Sequence, residues 1–229
     1  MEAAIGPRGT PGTLSSADEP LERRAVRRAL APHRQSAEQD VRRLLDVGLR
    51  LMVAAGSQHQ PRLTDIIRAA GLSNDAFYRY FAGKDELVAA IVDDGSRRLL
   101  SHVRHQLAKS SEPVDQLHLG MEAVIKQAAD PVIAATTRAV LRNASTPRAA
   151  GSTFGAQLTA ELAAIFAGPL RTLGTPDSDR DSRALAVTVF ATMEHFLWNE
   201  EVPSEADIDH LFQFLLRGVG TPGARRVAR

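Results

Sequence analysis

The sequence predicts an all-α protein of about nine helices, and three observations lead there. Apolar residues recur at spacings of three and four along most of the chain, as in Val41, Leu44, Leu45, Gly48, Leu49 and Met52. No stretch alternates apolar and polar residues as a half-buried strand would. Gly and Pro fall between the periodic stretches, where helices should stop.

The elements follow in order. Residues 1–36 are expected to be a disordered, basic arm. The first twenty are rich in Gly, Pro, Ser and Thr and have no period. A short basic helix is possible over Glu22–Leu30, and Pro32 should end it. Arg23, Arg24, Arg27, Arg28 and Arg34 are opposed there only by Glu22. Such an arm either touches nucleic acid or is a solvated tail. The first strong helix is expected over Ala37–Ala55, with Ser36 as its N-cap and Gly56 as its stop.

Two short helical patterns come next. Leu63, Ile66, Ile67 and Ala70 form one stripe, and Gly71 breaks it. Ser73 can cap a second helix, with Asp75 in its first turn, where the helix dipole favours an acid. Ala76, Phe77, Tyr80 and Phe81 supply that helix's apolar side. A longer helix starts after Gly83, with Asp85 and Glu86 in its first turn. Leu87, Val88, Ile91, Val92, Leu99, Val103 and Leu107 carry its stripe, and Gly95 marks a kink or a close contact. Further helices are expected over 114–129, 131–144, 149–173, 180–199 and 204–219, with a flexible tail at 221–229. Domain boundaries are placed at 37–83 and 84–220.

Composition narrows the function. Hydrophobic residues make up 44% of the chain and charged residues 24%, as in ordinary globular proteins. The absence of cysteine excludes disulfides, zinc fingers, iron–sulfur clusters and thiol catalysis. No secretory h-region opens the sequence, and no apolar run reaches the ~18 residues of a membrane span. A cytoplasmic location without membrane contact is the expectation. No cofactor, metal or enzymatic activity is expected either. His102 and His105 stand three apart but lack a nearby acid ligand. The order of Gly151, Ser152, Thr153, Phe154 and Gly155 is not that of a nucleophile elbow. Gly83, Lys84 and Asp85 lack the upstream Gly and the hydroxyl of a P-loop.

The informative segment is 62–87. Two short helices joined by a tight Gly turn have the geometry of a helix-turn-helix, in which the first helix braces the second in the major groove. Gly71 can take the left-handed conformation of the turn, and Leu72 would plug the gap between the helices. If Ala76, Phe77, Tyr80 and Phe81 lean inward, the opposite face presents Asn74, Asp75, Tyr78 and Arg79. Asn can read adenine, Arg can read guanine, and Asp can accept from cytosine N4.

Asp65–Ile66, Ala70–Gly71–Leu72–Ser73, Phe77–Tyr78–Arg79–Tyr80–Phe81 and Lys84–Asp85–Glu86–Leu87 together resemble the DNA-binding signature of the tetracycline-repressor (TetR) family. The resemblance covers roughly 37–90. It implies a three-helix DNA-binding domain followed by a larger helical ligand-binding and dimerisation domain. Tyr78 matches a tyrosine that touches the phosphate backbone, Tyr80 a second backbone-contacting position, and Lys84 a phosphate-anchoring lysine. Thr64 falls in the first turn of the bracing helix, where backbone contacts occur. Ser73, Asn74 and Asp75 match the leading edge of the recognition helix.

Three departures from the family pattern stand out. Asn74 and Asp75 replace a frequent basic–small pair, and Asp75 is either a specificity residue or a helix-dipole partner. Ile67 replaces a frequent Ala. Arg62 occupies the place of the usual Thr or Ser cap.

The resemblance extends to partners. It implies a double-stranded DNA operator, a homodimer and an unidentified small-molecule effector, with repression as the common mode. The helix over 180–199 is apolar nearly all round and must be buried. Its end and the last helix resemble the family's dimerisation pair, which implies an interface of Phe196, Leu197, Ile208, Leu211, Phe212 and Leu215. An apolar ligand pocket is implied between these helices and the DNA-binding domain. Its expected liners are Leu117, Met121, Ile125, Leu158, Leu162, Phe166, Phe190, Met193 and His195. A helical binding module that has lost operator affinity is the rival reading, and Asp75 supports it.

Overall fold

The computed structural model describes residues 21–56, 60–144 and 154–219. The expectations for 1–20 and for the tail lie outside them. Nine α-helices stand among the described residues: α1 (Leu21–Ala55), α2 (Leu63–Ala69), α3 (Asn74–Tyr78), α4 (Lys84–Leu107), α5 (Pro113–Ile125), α6 (Pro131–Ala144), α7 (Phe154–Thr172), α8 (Ser178–Asn199) and α9 (Glu205–Gly218). A 3-10 turn over Lys126–Ala128 extends α5. No strand occurs among the described residues, so the fold is all-α, as the periodicity predicts.

The chain divides into two compact units, Met1–Arg42 and Arg43–Arg229. In the first, the expected disorder over 21–36 and the stop at Pro32 are both corrected: α1 is already helical at Leu21 and runs through Pro32. A proline inside a helix forfeits one backbone hydrogen bond, at a cost of about 3 kcal/mol. Leu, Arg and Ala, all strong helix formers, dominate the turns before it and carry the helix across. An exposed pair, Arg34 to Glu38 at 2.8 Å, supports the turn that follows.

In the second unit, the end of α1 joins α2, α3 and the start of α4 in a small core. Leu44, Ile66, Phe77 and Leu87 are fully buried there. Each lies on a three-four apolar stripe, so the periodic positions are the packed ones. The larger core is built from α4 to α9 around Leu100, Met121, Leu162, Phe166, Val189 and Leu197. Helices α7 and α8 pack along each other, and α5 lies against α4, α7 and α8. Helix α4 therefore contributes to both cores: its first turns bury Leu87, Val88 and Ile91, and its last turns bury Leu100, Val103 and Leu107.

Candidate nucleic-acid interface

The turn between α2 and α3 follows from one glycine. Gly71 has φ +68°, and its N–H donates to the Arg68 carbonyl at 3.0 Å while the Leu72 N–H reaches Ile67 at 3.2 Å. This pair of bonds closes the end of α2, and only a residue without Cβ takes that φ at no cost. The Arg43 guanidinium adds a bond to the Ala70 carbonyl at 3.4 Å. The start of α2 is uncapped, because the Arg62 side chain makes no capping bond.

Ser73 caps α3, its Oγ accepting from the Ala76 N–H at 3.1 Å. Helical bonding continues past Tyr78, with the Tyr80 and Phe81 N–H groups donating to the Phe77 carbonyl. Ala76, Phe77 and Phe81 are buried, and the Phe77 and Phe81 ring centroids lie 5.6 Å apart. Tyr80 is half-buried. The inward side is therefore the expected one.

The outward side holds Ser73, Asn74, Asp75, Tyr78 and Arg79, with Thr64 also exposed on the bracing helix. Tyr78 is 59% exposed although its ring meets Phe77 edge-on at 5.3 Å. The Arg79 guanidinium lies 5.9 Å from the Tyr80 ring centroid. Asp75 sits in the first turn of α3 beside the Ser73 cap, where the helix dipole favours an acid.

Lys84 opens α4. Its Nζ donates to the Gln60 Oε1 at 3.1 Å. Partial burial holds its pKa below the ordinary lysine value, against the opposing pull of Asp85. The Glu86 side chain folds back to accept from the Ala82 N–H at 2.5 Å, which fixes the turn before α4. Gln60 was not singled out in the sequence; no motif marks it, because it lies in an aperiodic loop.

A cavity of about 370 Å³ lies beside this module. Its walls come from α1 (Leu45, Asp46, Leu49), from α4 (Ile91 to His102), from α6 (Val132 to Leu141), and from Gln127, Leu158, Phe190 and Met193. Of the expected liners, only Leu158, Phe190 and Met193 face it. Leu117, Met121, Ile125, Leu162 and Phe166 are instead packed solid in the larger core. His195 points away from the cavity: its side chain is 62% exposed and meets Asn199 at 3.0 Å. Periodicity marks an apolar face but does not separate a core wall from a cavity wall. The missed signal was on α6, where Val132, Ile133, Thr136, Thr137 and Val140 form a three-four stripe with two hydroxyls in its middle.

The expected dimer face is also corrected in part. Leu197, Ile208 and Phe212 are buried within the protomer, and Phe196, Leu211 and Leu215 are partly buried against its core. The exposed apolar residues of these helices are instead Val187 and Trp198 on α8 and Phe214 on α9. Helix α8 is apolar on both sides, so its pattern alone does not say which side the core takes.

With this geometry in view, comparison with known proteins finds a likeness in the segment that holds α2 and α3. Residues 44–91 match the model of bacterial regulatory proteins of the tetR family.

Over that stretch the chain is similar to the tetR family.

HTH-type transcriptional regulators from two strains of Mycobacterium tuberculosis, CDC 1551 and H37Rv, are each 32% identical to it over 143 residues. The matched part is 59% of this chain and 63% of each of those proteins, so the chain covers under two thirds of their length. Among solved structures, a transcriptional regulator of Pseudomonas aeruginosa PAO1 superposes with a TM-score of 0.65 at 20% identity, over 84% of this chain and 95% of that one. A transcriptional regulator of Rhodococcus sp. Rha1 gives a TM-score of 0.62 at 17% identity, over 78% and 95%. At such identities the likeness establishes the fold. No helix among the described residues is long and apolar enough to cross a membrane.

Proposed function

We propose that this protein is a homodimeric, cytoplasmic DNA-binding transcription regulator, a repressor that leaves a palindromic operator when a small molecule occupies the cavity. The observation that carries the reading is the outward row of α3. Asn74, Tyr78 and Arg79 are exposed on a helix whose other side, Phe77 and Phe81, is locked into the core. Tyr78, Tyr80, Lys84 and Thr64 hold backbone phosphates, which sets the register. Ser73, Asn74, Asp75 and Arg79 meet base edges at the front of the helix. Two such units, joined through α8 and α9, read two half-sites about one helical turn or more apart. The cavity lies against α1 and α4, so a ligand there favours one spacing of the recognition helices over another. The protein acts by binding, with no catalytic step and no cofactor.

Selection of bound sequences from a random DNA pool tests this, comparing the wild-type protein with Tyr78→Ala. Recovery of a palindrome that is lost in the variant is the expected result. Failure to enrich any sequence at low salt, from folded protein and with the probes below present or absent, overturns it. That outcome favours a helical binding module without operator affinity, for which the exposed acid Asp75 on the reading face already speaks.

A further inference from the structure

We propose that the cavity takes a small lipophilic cation, an apolar body bearing an ammonium group, and that this ligand touches α1, the helix packed against the helix-turn-helix. The inference rests on the ligand-responsive reading above and names its ligand class.

The interior is apolar, with Leu49, Ile91, Leu99, Val140, Phe190 and Met193 around it. Its charged wall groups are Asp46 on α1 and Asp94 and Arg98 on α4. Arg98 is already committed: its guanidinium lies 2.7 Å from the Asp94 carboxylate, and Arg97 reaches the same carboxylate at 3.3 Å. Asp46 has no ion-pair partner among the described residues. The hydroxyls of Ser96 and Thr136 donate to the carbonyls of Val92 and Val132 on their own helices. The Gln127 amide donates to the Ala123 carbonyl, which leaves its side-chain oxygen to accept. His102 shares its ring nitrogen with Gln106.

The wall thus offers acceptors and an unmatched carboxylate, while its one guanidinium is engaged. An anionic ligand would meet Asp46 with Arg98 occupied. A neutral ligand would gain the apolar contacts and at most a hydrogen bond to an acceptor such as the Gln127 oxygen. A cation gains those contacts and pairs with Asp46. Because Asp46 and its neighbours Leu45 and Leu49 belong to α1, whose end packs with α2 and α3, the ligand couples to operator binding through that one helix. Asp46 is exposed, so its pairing is screened by solvent and should favour the cation by about fivefold.

The test uses three probes with one naphthalene body: (2-naphthylmethyl)trimethylammonium, 2-naphthylmethanol and 2-naphthylacetate. Each is titrated calorimetrically into the full chain at low salt. The ammonium is expected to bind about fivefold tighter than the alcohol, with the acetate weakest. Asp46→Asn should erase that preference and leave the alcohol's affinity unchanged, which also reports an intact cavity. An alcohol or acetate that binds wild-type protein as tightly as the ammonium overturns the ligand class and leaves the ligand-responsive reading standing. An ammonium that binds with the expected preference but leaves operator affinity unchanged at saturation overturns that reading and leaves the ligand class standing. Binding of none of the three overturns both.

Discussion

Gly120 of α5 faces the Phe166 ring of α7 so closely that a methyl group on its Cα would lie 2.8 Å from Cε1. Phe166 is fully buried and the Leu107 side chain crowds the same position, so both must shift to admit the methyl. Overpacking of about 2–3 kcal/mol, less the roughly 1 kcal/mol that alanine gains in a helix, should leave Gly120→Ala destabilised by about 1–2 kcal/mol. Gly95→Ala is the contrast. A methyl there would meet only the Val140 methyls, at 4.0 Å. It should stabilise the protein by about 0.5–1 kcal/mol. Denaturant unfolding of both variants checks the pair, and a Gly120→Ala protein as stable as wild type would refute the packing argument.

Lys84 makes a different kind of prediction. Its ammonium is held toward Gln60 at the head of α4, where it can meet a phosphate without reading a base. Lys84→Gln should weaken operator binding about equally for all sequences. It should also lower the salt slope of log K by about one unit for each protomer bound. Burial lowers its pKa, so at alkaline pH it loses its charge earlier than an ordinary lysine does. The folded chain then binds fewer protons than the unfolded one between the lowered pKa and the ordinary lysine value. Through that window this group's contribution to stability rises with pH, while its phosphate contact fades. A changed consensus in Lys84→Gln would show that the residue reads sequence.

Ser73 has two roles that substitution can separate. As N-cap of α3 it accepts from the Ala76 N–H, and Ser73→Ala should cost about 0.5–2 kcal/mol of stability. Ser73→Asp keeps a capping oxygen and should retain the melting temperature. It also brings a second acid beside Asp75 onto the surface proposed to meet DNA, so operator affinity should fall well below wild type. Equal melting temperatures for the Ala and Asp variants would remove the capping role.

How much of this was legible in the sequence depended on what periodicity can distinguish. The buried side of the reading module could be read directly, because Ile66, Phe77 and Phe81 sit at three-four spacings beside a Gly turn. The cavity could not. Leu158 and Leu162 lie one turn apart on α7 and are chemically identical, yet the first lines the cavity and the second is core. Only the packing of α1 and α6 around the first makes the difference, and that is a tertiary fact. Pro32 misled in the other direction. A local rule predicted a stop there, and the surrounding helix formers overrode it. Lys84 was visible as a motif residue, whereas its partner Gln60 lies in a loop with no pattern to mark it.

Glu194, on α8, is half-buried, and burial raises its carboxyl pKa above the ordinary glutamate value. The folded state then holds this proton more tightly than the unfolded state. Ionisation costs the fold progressively as pH rises from the ordinary glutamate value through the raised one, and below that window the cost is absent. Glu194→Gln should accordingly raise the melting temperature at neutral pH. The advantage should disappear below about pH 4. A difference of the same size at both pH values would mean that the substitution acts through packing, not charge.

The last prediction concerns self-association. Val187 and Trp198 on α8 and Phe214 on α9 are exposed apolar side chains, with Phe214 65% exposed. Trp198 is the single tryptophan of the chain, and the Arg142 guanidinium lies 5.7 Å from its ring centroid. If a second copy covers these residues, the Trp198 emission should shift to the blue as protein concentration rises. A stable pair should bury about 1,200–2,000 Å² in total. Val187→Asp and Phe214→Glu alter positions that contribute little to the protomer core, so each variant should fold. In a two-fold interface each change places two carboxylates, one per copy, where both must lose water, at several kcal/mol per ion. Both variants should therefore sediment as monomers at concentrations where the wild-type protein is a dimer. Their operator affinity should fall even though α3 is untouched, because each half-site is then held by one reading head. A Phe214→Glu protein that still dimerises would place the interface elsewhere on the molecule.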